Sequence, residues 1–163
     1  WWSGRGVVGF RLDVIDLIGK DTDNCVMAEG PMLHPFIREM SSHTFQRADL
    51  VTVGEAWSAT PERAFLYSNP NGSELSMVFQ FEHMVLDQQP GKEKWDLAPF
   101  PFVTFKKVFT KWQQALYQKG WNSLFLDNHD LPRAVSHFGN DEKYRVESAK
   151  MLATMIHGMQ GTP

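Results

Sequence analysis

Apolar and polar positions alternate along this chain in two rhythms. Short, mostly apolar runs occur at residues 7–14, 50–55, 75–81 and 122–126, the first of them β-branched. Each is too short for a helix and reads as a strand buried on both faces of a parallel sheet. Between them the apolar residues fall at three- and four-residue intervals. Phe36, Ile37, Met40 and Phe45 do so in 31–46, with Pro31 near the start. Phe102, Phe105, Val108, Phe109, Trp112 and Leu116 form one stripe in 102–118, and Val146, Ala149, Met151, Leu152, Met155 and Ile156 lie in 144–159. That spacing predicts amphipathic helices with these residues in the core. Thr60-Pro61 reads as an N-cap followed by a proline in the first helical turn. Strands alternating with helices imply βαβ units and a parallel sheet. Four such units make about half of a (β/α)8 barrel, but a doubly wound sheet has the same periodicity.

Composition narrows the class. The chain has 163 residues, 42% hydrophobic and 13% aromatic, so it is expected to fold rather than remain disordered. A net charge of −3 without a basic run gives no support for nucleic-acid binding. No apolar stretch approaches the roughly 20 residues that span a bilayer, so no membrane partner is expected. No signal peptide is visible. The lone cysteine, Cys25, excludes an internal disulfide framework and fits a reducing, cytoplasmic compartment. The chain opens Trp1-Trp2-Ser3 and closes Gly161-Thr162-Pro163, which reads as one piece, 1–163, of a longer catalytic domain.

Three of the runs end in acids: Asp13, Glu55 and, after Asp127-Asn128-His129, Asp130. In a parallel barrel all strand C-termini open on one face, so these carboxylates would converge. Converging carboxylates bind a divalent cation or cleave glycosides. Arg11 lies two residues before Asp13, on the same side of the strand. Its guanidinium would hold Asp13 ionised, as a nucleophile requires, and would oppose a tight dication site. A single strand-end Asp is more often a helix cap or a surface residue, but three such ends beside Arg11 and His129 are less easily explained so.

The segments Gly9-Phe10-Arg11-Leu12-Asp13-Val14-Ile15, Val53-Gly54-Glu55 and Asn128-His129-Asp130 resemble the nucleophile, acid/base and third-carboxylate segments of the α-amylase superfamily (glycoside hydrolase family 13). Tyr67-Ser68-Asn69-Pro70, residues 74–83 and Asn128-His129-Asp130-Leu131-Pro132-Arg133 are similar to its oligo-1,6-glucosidase and dextran glucosidase branch. The resemblance covers essentially the whole chain and implies strands four to seven of a (β/α)8 TIM barrel.

It also implies roles. Asp13 would form a β-glucosyl-enzyme, and Glu55, its pKa raised by the neighbouring anion, would protonate the leaving oxygen and then activate water. Asp130 and His129 would hydrogen-bond the sugar. Val14 resembles branches that cut α-1,6 bonds, although packing in the barrel core is an equally plain reading for it. Trp57 would line the leaving-group side, Lys94 would reach the same subsite, and Arg133 would contact substrate. No cofactor and no metal are expected; the calcium loop and the early-strand binding residues of many relatives would lie outside this chain. The implied partner is an oligosaccharide, and the intact enzyme is expected to be a monomer. Trehalose-6-phosphate hydrolase, sucrose isomerase and a non-catalytic transporter-associated subunit are the alternatives.

Overall fold

A computed structural model describes residues 1–45, 50–93 and 95–163. Four strands, β1 (Gly9–Leu12), β2 (Val51–Glu55), β3 (Met77–Phe79) and β4 (Asn122–Ser123), form one sheet. All neighbours are parallel and the spatial order is β1-β2-β3-β4. A doubly wound sheet reverses its strand order at a switch point, whereas a barrel adds each strand beside the last. The sequential order therefore resolves the ambiguity that periodicity leaves open: the chain is part of a barrel wall.

Among the described residues five α-helices accompany the sheet: α1 (Leu33–His43), α2 (Pro61–Ser68), α3 (Phe102–Leu116), α4 (Ala134–Phe138) and α5 (Arg145–His157). Pro35 sits in the first turn of α1, where its missing N–H costs nothing because the first four N–H groups of a helix have no internal partner. Thr60 occupies the N-cap of α2 with Pro61 at the first helical position, as the dipeptide predicts. Helices α1, α2 and α3 close a core of Leu33, Ile37, Ala64, Tyr67, Val108, Trp112 and Leu116 against Leu75 and Val78. A second core joins α3 to α5 through Phe105, Phe109, Leu124, Leu126, Leu152 and Ile156. Helix α3 thus spans both.

Several expectations need correction. The strands are shorter than the apolar runs: β4 pairs with β3 over only two residues, while on its other edge Leu124 donates its N–H to the Thr162 carbonyl, 2.7 Å away. Helix α4 lies in a stretch of mixed polarity that carries no helical rhythm. Phe102, at the first position of α3, is 58% exposed; its ring stacks on Phe105 and faces the Lys106 ammonium. Phe36, Val146 and Met151 are also exposed, while their neighbours Ile37, Leu152 and Ile156 carry the packing.

Buried polar groups lock the loops on the helix side. His34 and Arg38 of α1 both bond to Glu74, at 2.8 and 2.9 Å. Glu29, ahead of α1, accepts from Arg63 and from the Tyr67 hydroxyl of α2. Burial and the Glu29 carboxylate raise the Tyr67 pKa, so the phenol remains a donor.

Candidate active site

The parallel register places Leu12 beside Gly54, so Asp13 and Glu55 leave adjacent strands at the same level. Asp13 is exposed, its side chain at 71%; Glu55 is buried at 3%. Arg11 joins them. Its Nη1 donates to Asp13 Oδ1, and its Nη2 donates to Glu55 Oε2 at 2.5 Å. Such charge-assisted, forked bonding fixes two carboxyls at once. The Arg11 bond is the main cause holding Asp13 below the usual carboxylate range; the neighbouring Glu55 side chain adds to it, and His129 contributes through its charge. The bond to Asp13 likewise raises Arg11.

The other Glu55 oxygen, Oε1, accepts from the Trp57 indole N–H at 2.7 Å. The same indole stacks on Phe81, ring centroids 3.7 Å apart. Phe81 meets Phe125 edge-on, and Phe125 meets Phe79. Phe79, Phe81 and Phe125, with Arg11, Asn128 and His129, line a cavity of about 180 Å³ at the strand ends. Asp130 follows these lining residues, half exposed, with His129 Nε2 at 3.5 Å and its own N–H donating to Asn128 Oδ1 at 2.9 Å.

The predicted residues are thus not all gathered. Arg11, Asp13, Glu55 and Trp57 form one bonded group, with His129 close enough for its charge to act on Asp13. Asp130 makes no bond to this group among the described residues; it lies 3.5 Å from His129 and bonds Asn128. Arg133, exposed ahead of α4, has no ion pair among the described residues and does not reach the carboxylates. Lys94 lies outside the described residues. Val14 is no core residue: it is 37% exposed, with φ 37° and ψ 46°. A β-branched side chain in that left-handed region costs on the order of 1–3 kcal/mol and is typical of functional loops.

Two groups that support the site were not anticipated. Asp16 is buried beneath the loop after Asp13, and Ser58 donates its N–H to it. His83 holds the end of β4, donating from Nε2 to the Phe125 carbonyl at 2.8 Å while Gln80 donates to its Nδ1 at 2.9 Å. An acid inside the apolar run Val14-Ile15-Asp16-Leu17-Ile18 was a usable signal for the first; Gln80-x-x-His83 is too plain a pattern to signal the second. Among the described residues no group of His, Cys, Asp or Glu side chains is arranged to hold a metal ion, and no helix is long and apolar enough to cross a membrane.

Comparison with known proteins extends the picture. The alpha-amylase family model, "Alpha amylase, catalytic domain", matches residues 1–163. The chain is 54% identical to a glucan 1,6-alpha-glucosidase of Streptococcus pneumoniae, over all of this chain and 31% of that protein. It is 56% identical to a palatinase of Erwinia rhapontici, over 99% of this chain and 30% of that one. Among solved structures it is similar to a trehalose-6-phosphate hydrolase of Bacillus licheniformis, with a TM-score of 0.93 and 45% identity over 99% of this chain and 31% of that one. The chain therefore spans about a third of the length of these relatives.

Proposed function

From the premise that the chain belongs to the alpha-amylase catalytic-domain family, we propose that it carries the chemical centre of a retaining α-glucosidase. The substrate is an isomalto-oligosaccharide or dextran, cleaved at α-1,6 bonds from the non-reducing end. The observation that carries this reading is the Asp13–Arg11–Glu55 cluster. An inverting enzyme separates its carboxyls by about 6.5–9.5 Å to admit a water, whereas a retaining one keeps them about 5–5.5 Å apart. Here one guanidinium donates to both carboxyls at once, an arrangement that supports the closer spacing.

In the first step Asp13 attacks the anomeric carbon as the Glu55 carboxyl gives its proton to the leaving oxygen. In the second, Glu55 takes a proton from water as the glucosyl–Asp13 ester breaks. Arg11 keeps Asp13 anionic at working pH. His129, which lines the cavity, and Asp130 beside it hydrogen-bond the sugar. Trp57 and the strained Val14 border the leaving-group side and favour the 1,6 linkage, a reading supported by the name of the pneumococcal relative. Two carboxyls suffice for this chemistry, so no cofactor is required. The exposed free thiol of Cys25 fits a cytoplasmic enzyme acting as a monomer.

The test is a rate comparison on the full-length protein. Isomaltose should be turned over faster than maltose, sucrose or trehalose 6-phosphate; a preference for the last would move the assignment to a phosphate-sugar hydrolase. Asp13→Asn should abolish turnover, and retention of more than about 1% would overturn the nucleophile role. Glu55→Gln should lose far more rate on isomaltose than on glucosides with acidic leaving groups. Equal losses would remove the acid role.

A further inference from the structure

We infer that Asp16 is a positioning residue that locks the loop after Asp13 to the loop after Glu55 and so sets how the two carboxyls meet; the inference rests on the roles proposed above for those two.

The chain reverses at Val14, whose left-handed conformation persists only where its surroundings over-determine it. Two contacts do so. Ile15, 5% exposed, lays its side chain over Gly54, where any Cβ would come within 2.8 Å of Ile15 Cγ2. Asp16, 1% exposed, accepts the Ser58 N–H on Oδ2 at 2.8 Å, and its main-chain carbonyl accepts the Glu29 N–H at 2.9 Å.

Asp16 stands three residues after Asp13, and Ser58 three residues after Glu55. The bond therefore closes a ring whose other side is the β1–β2 register at Leu12 and Gly54. Both carboxyls are held between a strand on one flank and this clamp on the other. Oδ1 of Asp16 is buried with no hydrogen-bond partner, so the carboxyl is kept out of water and faces Ser58 through Oδ2. Burial is the main cause pushing its pKa up, with the Ser58 bond opposing.

Loosening the clamp should misplace the carboxyls without removing a sugar contact. A displacement near 1 Å costs about 100-fold in rate. In the full-length protein Asp16→Ala should lower kcat by about that factor while KM moves less than about threefold. Asp16→Asn keeps an oxygen for the Ser58 N–H and should recover kcat to within about threefold of wild type. If Asp16→Ala does not fold, Ser58→Pro deletes the N–H from the exposed partner and should reproduce the kcat loss. Wild-type kcat in Asp16→Ala or in Ser58→Pro, or equal losses in Asp16→Ala and Asp16→Asn, would overturn the inference. Asp13→Asn is run alongside. If it turns over normally, the site reading itself fails; if it is dead while Asp16→Ala is fully active, only the clamp fails.

Discussion

Lowering the pH from 7 to 4 should weaken the fold through one buried side chain, His83. The imidazole is 1% exposed and lies 4.9 Å, centroid to centroid, from both Phe109 and Phe125. Both nitrogens are used by the neutral ring, one as donor to the Phe125 carbonyl and one as acceptor from Gln80. Burial pushes its pKa down from 6.5 to about 4. Above pH 6.5 the ring is neutral in the folded and unfolded chains alike, and the full stability is present. Between 6.5 and 4 the unfolded chain takes up a proton that the folded chain refuses, so stability drains away as the pH falls. At 1.36 kcal/mol per pKa unit the loss reaches about 3 kcal/mol. Urea titrations of the full-length protein and of His83→Gln at pH 7, 6, 5 and 4 would measure it. The variant carries a fixed packing loss but no such titration, so the difference between the two proteins should shrink by about 3 kcal/mol on acidification. Carboxylates such as Asp21 and Glu62, lowered by local hydrogen bonds, titrate in both proteins and cancel. A difference that stays constant from pH 7 to pH 4 would refute the reasoning.

Three substitutions probe the site in the full-length protein. Arg11→Lys replaces a fork by a point charge that serves one carboxyl at a time; losing one charge-assisted bond, about 1.5–3 kcal/mol, should lower kcat/KM roughly 10- to 150-fold on isomaltose. Trp57→Phe keeps a ring on Phe81 but removes the donor to Glu55, so kcat should fall about tenfold or more while chemical denaturation shows little change. Gly54→Ala puts a methyl 2.8 Å from both Ile15 and Leu75 side-chain carbons; overpacking should cost about 1–3 kcal/mol in a urea titration and should reduce turnover as well.

What was legible in the sequence follows from period and spacing. The alternation that sets Arg11 and Asp13 on one side of a strand is a property of extended backbone, and the structure realises it as the bond between them. The acids at strand ends were visible because parallel strands share a direction. What could not be read depends on where the chain goes after the strand. Trp57 bonds Glu55 from beyond the end of β2, where the chain turns over Trp57 and Ser58 and strand alternation no longer applies. Asp16 is buried rather than solvated because Val14 adopts a left-handed turn, which no propensity predicts for valine. Phe102 sits on the apolar stripe of α3 yet stays in water, since periodicity assigns a side of the helix but not the length over which that side is covered. Asp130 and Arg133 follow β4 in a loop whose course depends on the Asn128 and Asp127 side chains, which bond to the main-chain N–H groups of Asp130 and Ala134.

The strand order also governs assembly. Each pairing waits for a crossover to close, and the spans differ: Val53 meets Met77 24 residues on, while Gly9 and Val51 are 42 apart and Val78 and Asn122 44 apart. With a closure cost rising as the logarithm of length, the β2–β3 pairing is favoured by about 0.5 kcal/mol over the others. It is also stitched by side chains, since Thr52 N–H bonds Ser76 Oγ and Ser76 N–H bonds Thr52 Oγ1. The β2–α2–β3 segment is thus the cheapest nucleus, and substitutions in it should slow folding while those in β1 mainly speed unfolding. Glu55 would then be in place before the strand that brings Asp13 arrives, and the two halves of the chemistry would meet as a late event in folding.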